Sequence, residues 1–307
     1  MTDRNARRRR ALVTGATGFV GSRLAERLVA EGWAVHIVAR KRSRLDALRP
    51  VMSSIVAHEH DGTTRSMIDL VARSRPDCVF HLASLFLAQH QPDDVEELIV
   101  SNVVFATQLA EAMAANAVPY LINTGTSWQH FDSAEYSPVN LYAATKQAFE
   151  DVLAFYVSAN ALKVTTLSLF DTYGPNDPRS KLMTLLWQSA RTRKPLLMSP
   201  GEQYIDLVHV EDVVEAYLLA AVALPDQECG HSHYSVSSGR PLRLIDLVAT
   251  FERTTGLTLP IVWGARPYRS REVMCPWKGH QPVPNWQPRI PLEAGILQAR
   301  PATITED

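Results

Sequence analysis

Apolar positions in the first two-thirds of the chain fall into two alternating textures. Short runs rich in β-branched residues and bounded by turn formers are ALVTG, AVHIVAR, SIVAHEHD, CVFHLAS, YLINTGT and KVTTLSLF. These predict strands. Between them, SRLAERLVAEG (ending at Gly32), MIDLVARS, VEELIVSNVVFATQLAEAMAAN and NLYAATKQAFEDVLAFY carry apolar residues at helical spacing. Apolar strands alternating with helices predict an α/β fold, a parallel sheet covered on both faces. Right-handed crossovers make such a sheet doubly wound.

The rhythm breaks at Gly174, after which Pro becomes frequent. SKLMTLLWQSARTRK, VEDVVEAYLLAAVAL and RLIDLVATFERTTG still read as helices, separated by a Pro- and Gly-bearing loop, KPLLMSPGEQ. HYSVSSG reads as one more strand for the first sheet. The expected organisation is a disordered basic leader over residues 1–10, a sheet domain over 11–173, segments near 208–236 returning to it, and a smaller C-terminal α/β domain over 174–300. The tail after Arg300 is expected to fray.

Gly15, Gly18 and Gly21 form G-x-x-G-x-x-G between an apolar strand and a helix. Glycine permits a turn with positive φ and a close backbone approach, and a helix N-terminus favours negative charge. This setting points to a dinucleotide pyrophosphate and a Rossmann sheet. An NAD-binding sheet of this kind usually ends its second strand with an acid for the ribose 2′-hydroxyl. Here Ala39-Arg40-Lys41-Arg42 stands there instead. Arg40 can pair with a 2′-phosphate and stack on adenine, so NADP(H) is expected, with NAD(H) as the alternative. A solvated basic patch is the competing reading.

Tyr142 and Lys146 lie four apart on a predicted helix and so share a face. An adjacent ammonium is expected to lower the phenol from its ordinary value near about 10, which suits a proton donor and acceptor. The spacing alone is common on solvated helix faces; the glycine turn gives it weight.

Bulk properties narrow the classes. The 307 residues suffice for one large domain or two unequal ones, and 46% hydrophobic with 21% charged residues is ordinary for a soluble globular protein. A net charge of −1 offers no field for nucleic acid or a membrane surface. The exception is the opening, Arg4 and Arg7 to Arg10. No signal peptide and no apolar run of membrane-spanning length are read from the sequence. Cys78, Cys229 and Cys275 are far apart and odd in number, so a reducing, cytoplasmic setting is expected. His58/His60 and His231/His233 each form H-x-H, but without Cys or carboxylate partners at metal spacing no metal site is expected.

With these residues in place, the chain resembles the extended short-chain dehydrogenase/reductase family, in its sugar-nucleotide-modifying branch. The matching segments are TGATGFVG, HLAS, Asn102 ahead of FATQLAEA, YAATK, LFDTYGP and YIDLVHVEDVVEAY, with NWQPRIPLEAGI near the end. The resemblance implies that Gly15, Thr17, Gly18, Phe19 and Val20 cradle the cofactor. Asp61 and Gly62 would meet its adenine. Leu82, Ala83 and Ser84, Asn102, Thr124 and Leu169 would lie along it. Tyr142 would be the general acid/base, with Lys146 gripping the nicotinamide ribose. A hydroxyl near the substrate oxygen is expected at Thr126, with Thr124 the runner-up and Ser127 the third candidate. Ser127, Asp171, Lys181, Leu182, Gln203, Tyr204 and Arg266 would bind a nucleotide sugar, with Arg269 and Arg271 further candidates for its phosphates. Trp187, Trp263, Trp277 and Trp286 are base-stacking candidates better read as packing, and Asp212 as a helix cap or loop anchor.

Departures shape the expected reaction. Related 4,6-dehydratases carry an acid directly after the catalytic threonine, whereas Ser127 and Trp128 stand here. Only Asp132 or Glu135 is offered as a substitute. Ile205 replaces an arginine that many relatives direct at the nucleotide. INTGTSW is similar to synthases that reduce CDP-linked 4-keto deoxysugars. The resemblance therefore implies an NADPH-dependent reductase of a 4-keto-6-deoxy or 3,6-dideoxy sugar nucleotide, acting as a homodimer. An NAD-retaining epimerase is the main alternative; a 4,6-dehydratase and a non-catalytic NADP-sensing protein rank lower.

Overall fold

The computed structural model describes residues 8–228 and 230–301. Strands β1 (Arg10–Thr14), β2 (Ala34–Ala39), β3 (Ile55–Glu59), β4 (Cys78–His81), β5 (Tyr120–Thr126) and β6 (Lys163–Leu169) coincide with the predicted runs. Helices α1 (Phe19–Ala30), α2 (Thr64–Ser74), α3 (Val95–Ile99), α4 (Phe105–Ala115) and α5 (Leu141–Asn160) alternate with them. The later strands are β7 (Asp171–Tyr173), β8 (Leu196–Leu197), β9 (Tyr204–Ile205), β10 (Leu207–His209), β11 (His231–Val236), β12 (Leu242–Arg243) and β13 (Ile261–Val262), all short except β11. The later helices are α6 (Leu182–Thr192), α7 (Val210–Ala223), α8 (Leu244–Thr255) and α9 (Leu292–Gln298).

The main sheet has seven strands in the order β11-β6-β5-β4-β1-β2-β3. Every pair in it is parallel. The chain winds one way from β1 to β3 and the other from β4 to β6, so the order reverses between β1 and β4, where a crevice opens at the strands' C-terminal ends. One face packs Leu24 and Leu28 of α1 against Val213 and Tyr217 of α7. The other packs Met67 of α2, Leu109 of α4 and Phe149 and Leu153 of α5. A third core joins α6, α8 and α9 around Trp187, Leu247, Phe251 and Ile296.

Local chemistry sets the helix starts. Thr63 caps α2 by accepting from Ser66 N–H, and Asn140 caps α5 by accepting from Ala143 N–H. His209, not Asp212, caps α7 through its ring Nδ1. Asp212 instead anchors a loop, accepting from the N–H groups of Arg289 and Ile290 at 3.0 and 3.1 Å.

Two sequence expectations are corrected. The end of the basic leader is placed: Arg10 opens β1, Arg9 lies over the Trp33 ring at 5.7 Å, and Arg8 donates to Gly32 O. Arg4, Arg7, Cys229 and the tail beyond residue 301 lie outside the described residues. Pro92–Ala115 forms one continuous 24-residue helical stretch that is long and apolar enough to cross a membrane, with mean hydropathy 1.5. The sequence reading took residues 95–116 as one helix and saw no apolar run of membrane-spanning length. In the fold its inner side, Leu98, Ala106, Leu109 and Met113, is buried.

Gly15 makes a double demand on the backbone, in its φ and in its neighbours. Its φ is +69°, and a Cβ there would stand 2.6 Å from Ala83 N and 2.7 Å from Leu82 C. Gly15→Ala is expected to lower stability by about 1–3 kcal/mol from strain and backbone overlap. Urea unfolding checks this; an unchanged midpoint at unchanged slope would contradict it.

Candidate active site

The glycine turn sits where β1 meets α1. Gly18 N–H donates to Gly15 O at 2.9 Å, and a Cβ on Gly21 would run into Gly15 O. No side chain caps α1 at Gly18, so its first N–H groups face outward as an anion cradle. That backbone cradle, which side chains would fill, fits a dinucleotide pyrophosphate. Thr17 and Val20 are half-buried beside it, and Phe19 is buried beneath the Arg179 guanidinium at 4.6 Å.

The neighbouring strand ends supply the rest of that edge. Arg40 is exposed just past β2, its N–H held by Ser43 Oγ at 2.9 Å. Past β3, the exposed Asp61 carboxylate accepts from Thr63 N–H and Oγ1 at 2.9 and 2.8 Å, bonds that hold it below the usual carboxylate range. Gly62 follows with φ +98°. Leu82, Ala83 and Ser84 are half-buried at the end of β4, where Ala83 N–H donates to Thr14 Oγ1 at 3.2 Å. Leu169 closes β6, half-buried.

Asn102 lies in a π-helical turn, Val100–Val104, that joins α3 to α4. Its amide spends every polar valence inside the protein. It accepts from Ser84 Oγ and Leu85 N–H at 3.1 and 2.7 Å, and donates to Leu85 O and Thr145 Oγ1 at 3.0 and 2.9 Å. Asn102 therefore orders the end of β4 against α5 rather than offering a group to a ligand. No apolar or helical periodicity marks that role.

Tyr142 and Lys146 share the α5 face toward this edge, with Lys146 Nζ 5.9 Å from the Tyr142 ring centre. The expected lowering of the phenol by Lys146 is reversed. Burial pushes Tyr142 up to about 12, against opposing effects of Ser84 and Arg179. Burial likewise pushes Lys146 down to about 8, while Glu150 acts to raise it. For the phenol, loss of solvation outweighs the lowering by Ser84 and Arg179. Tyr142 is thus held as the protonated acid.

Thr124 Oγ1 donates to His81 O at 2.7 Å and lies 2.6 Å from Tyr217 Oη, so its hydroxyl is engaged in the core. Thr126 ends β5, and its Oγ1 accepts weakly from Trp128 N–H at 3.3 Å. Its own N–H donates to Gln129 Oε1 at 3.0 Å. Thr126 therefore keeps the more available hydroxyl.

Beyond Ser127 opens a cavity of about 610 Å³ lined by Ser127, Asp171, Lys181, Leu182, Gln203, Tyr204 and Arg266, the expected substrate residues apart from Thr126. Arg269 and Arg271 also line it, giving a cluster of cations suited to phosphates. Gln203 Oε1 and Arg271 Nε are buried without a partner, polar groups for a ligand to satisfy. Phe86 and Trp128 form an apolar wall, with the Phe86 ring 4.9 Å from Tyr142 and Lys181 Nζ 3.9 Å from the Phe86 centre. Asp171 Oδ1 stands 4.0 Å from Lys181 Nζ. Burial raises the Asp171 carboxyl and lowers the Lys181 ammonium. Trp187 and Trp286 are core residues, while Trp277 joins the cavity wall. Asp132 and Glu135 are exposed and absent from the cavity lining. The sequence reading missed Phe86, Arg179 and the Asn102 network.

One further correction concerns His231 and His233. They lie on β11 as a strand pair, but a carboxylate does stand beside them: Glu150 Oε2 is 2.9 Å from His233 Nε2. Burial would push Glu150 up, yet hydrogen bonds with His233 and Gln129 outweigh it and hold the carboxyl below its usual range.

Residues 11–236 match the profile of the NAD dependent epimerase/dehydratase family. The chain belongs to this family. Among its family relatives, a UDP-glucose 4-epimerase of Mycolicibacterium smegmatis is 30% identical over 308 residues, covering 94% of this chain and 96% of that one. A CDP-abequose synthase of Yersinia pseudotuberculosis is 25% identical over 268 residues, covering 87% and 91%. The solved UDP-glucose 4-epimerase of Brucella ovis, in complex with NAD, superposes with a TM-score of 0.84 at 21% identity over 95% of this chain and 97% of that one. The family is thus the sugar-nucleotide-modifying branch of the extended short-chain dehydrogenases/reductases.

Because Lys146 sits near 8 in the free protein, its charge is present below that pH and lost above it. Dinucleotide affinity is expected to weaken as pH rises through that value. Fluorescence titration measures it; an affinity flat across this interval would show that Lys146 does not grip the cofactor.

Proposed function

We propose that this family member reduces a nucleotide-linked 4-keto-deoxyhexose, of the 4-keto-6-deoxy or 3,6-dideoxy class, at the expense of NADPH. The observation that carries the reading is the basic end of β2. Arg40, Lys41 and Arg42 occupy the place of the ribose-binding acid, which favours a phosphorylated dinucleotide that exchanges after each turnover. The bound nicotinamide supplies the hydride equivalent. Gly15, Gly18 and the start of α1 hold the pyrophosphate, and Lys146 holds the ribose. Tyr142, kept protonated by burial, gives its proton to the oxygen of the reduced carbonyl, and Thr126 donates a hydrogen bond to the same oxygen. Arg266, Arg269 and Arg271 take the diphosphate, and Phe86 and Trp128 face the deoxygenated part of the sugar. The kinship with a CDP-abequose synthase supports this substrate class. The exposed placement of Asp132 and Glu135 speaks against dehydration.

A 4-epimerase with retained NAD is the second reading, favoured by the UDP-glucose 4-epimerases among the relatives. Incubation with a CDP- or dTDP-4-keto-6-deoxyhexose separates the two. The expected result is oxidation of NADPH in step with product, with NADH the poorer donor. Tyr142→Phe is expected to lower kcat by about 10²–10⁴-fold while cofactor still binds. Interconversion of UDP-hexoses without net cofactor change would overturn the proposal in favour of the epimerase.

The same reading includes a homodimer. Val95, Ile99, Val100 and Val104 on the α3–α4 stretch and Phe155 on α5 are exposed, Phe155 at 62%. Neighbouring helices with an apolar outer face fit a second copy of the chain. Sedimentation is expected to give a dimer, and Phe155→Glu with Val100→Glu a monomer; a monomeric wild type would refute the interface.

A further inference from the structure

We propose that Glu150, His231 and His233 bind a divalent transition-metal ion of the zinc class, clamping α5 to the edge strand β11. The donor atoms of these three residues all lie within 4.8 Å of one another.

The fold assembles the set from two periodicities. His231 and His233 alternate on β11, so both imidazoles stand on one face of the sheet. Register pairs His231 with Val164 and His233 with Thr166 of β6, and Val164 packs into the core that α5 covers. On α5, Glu150 lies one turn beyond Lys146, which carries the stripe of Tyr142 and Lys146 outward to the sheet edge. The stacked imidazoles, 4.2 Å between ring centres, thereby meet a buried carboxylate.

Supporting contacts resemble those around ligating groups. Gln129 Nε2 donates to Glu150 Oε1 at 2.9 Å, which orients the other oxygen toward His233. Thr166 Oγ1 lies 2.8 Å from His231 Nε2, fixing that ring. Two imidazoles and one carboxylate suit zinc and its neighbours, with a fourth position for water. The His233 side chain is 35% exposed, which gives an ion a path in. His280, its ring 5.5 Å from that of His233, stands nearby on the covering loop.

The site stands apart from the cavity and does not depend on the proposed reaction. It reaches the active site through Gln129, which donates to Glu150 and accepts from Thr126 N–H, and through the charge of Glu150 on Lys146.

The test uses tag-free full-length protein, stripped with chelator and dialysed against micromolar zinc chloride. Elemental analysis is expected to find about one zinc per chain, held by three protein ligands and a water. Zinc is also expected to raise the thermal midpoint, because an ion that binds only the folded state stabilises it. His231→Ala with His233→Ala, and separately Glu150→Gln, should weaken zinc binding by at least about 10-fold. Circular dichroism of the stripped variants establishes that they fold. His36→Ala with His58→Ala, which removes the other stacked imidazole pair, should leave binding unchanged. A wild type that keeps no zinc, or equal zinc in the folded His231/His233 double variant, would overturn the proposal.

Discussion

The constraint on which the site depends is backbone on backbone, where Gly15 lies against the Leu82–Ala83 peptide at the end of β4. The side chain missing from Gly15 lets β1 and β4 end together, and this is where strand order reverses and a crevice must form. From that contact a continuous polar path leads to the chemistry. Thr14 Oγ1 receives Ala83 N–H, Asn102 gathers Ser84 and Leu85, and Thr145 passes the order on to Tyr142 O. The turn that cradles an anion and the helix that carries the tyrosine are thus set by one another.

That helix then places three kinds of work on successive turns. Tyr142 faces the apolar wall of Phe86, Lys146 is buried beside the sheet, and Glu150 meets the imidazoles of β11. Each group feels a different balance of burial and charge. Burial dominates for Tyr142 and Lys146, whereas hydrogen bonds dominate for Glu150. A phenol held as an acid is suited to giving its proton to a forming alkoxide, whose oxygen is the stronger base.

Much of this was legible in the sequence because its signals are long or local. Strands β1 to β6 are apolar runs, α5 is a helix without Gly or Pro until well past Lys146, and the glycine spacing sits between a strand and a helix. The residues expected at the substrate came from family resemblance, and all but Thr126 line one cavity. What escaped lacks a period or lies far apart in the chain. Strands β8, β9, β12 and β13 span two residues each, too few to show alternation. The π turn at Asn102 depends on contacts with residues 17 and 43 positions away. Glu150 and His233 are separated by 83 residues, so no local spacing could reveal the carboxylate. The direction of the Tyr142 shift was misread because a helical wheel shows the neighbouring charge and not the loss of water.

The edge of the sheet has a consequence for association. An outermost strand with open N–H and C=O groups invites another strand to dock. Beside β11 the chain itself forestalls this: Ser235 N–H donates to Gln281 O at 3.1 Å, and Ser235 bridges to Pro282. Proline has no N–H to extend a ladder. The segment therefore acts as a stopper that ends the sheet at seven strands and leaves growth into fibrils without a template on that side.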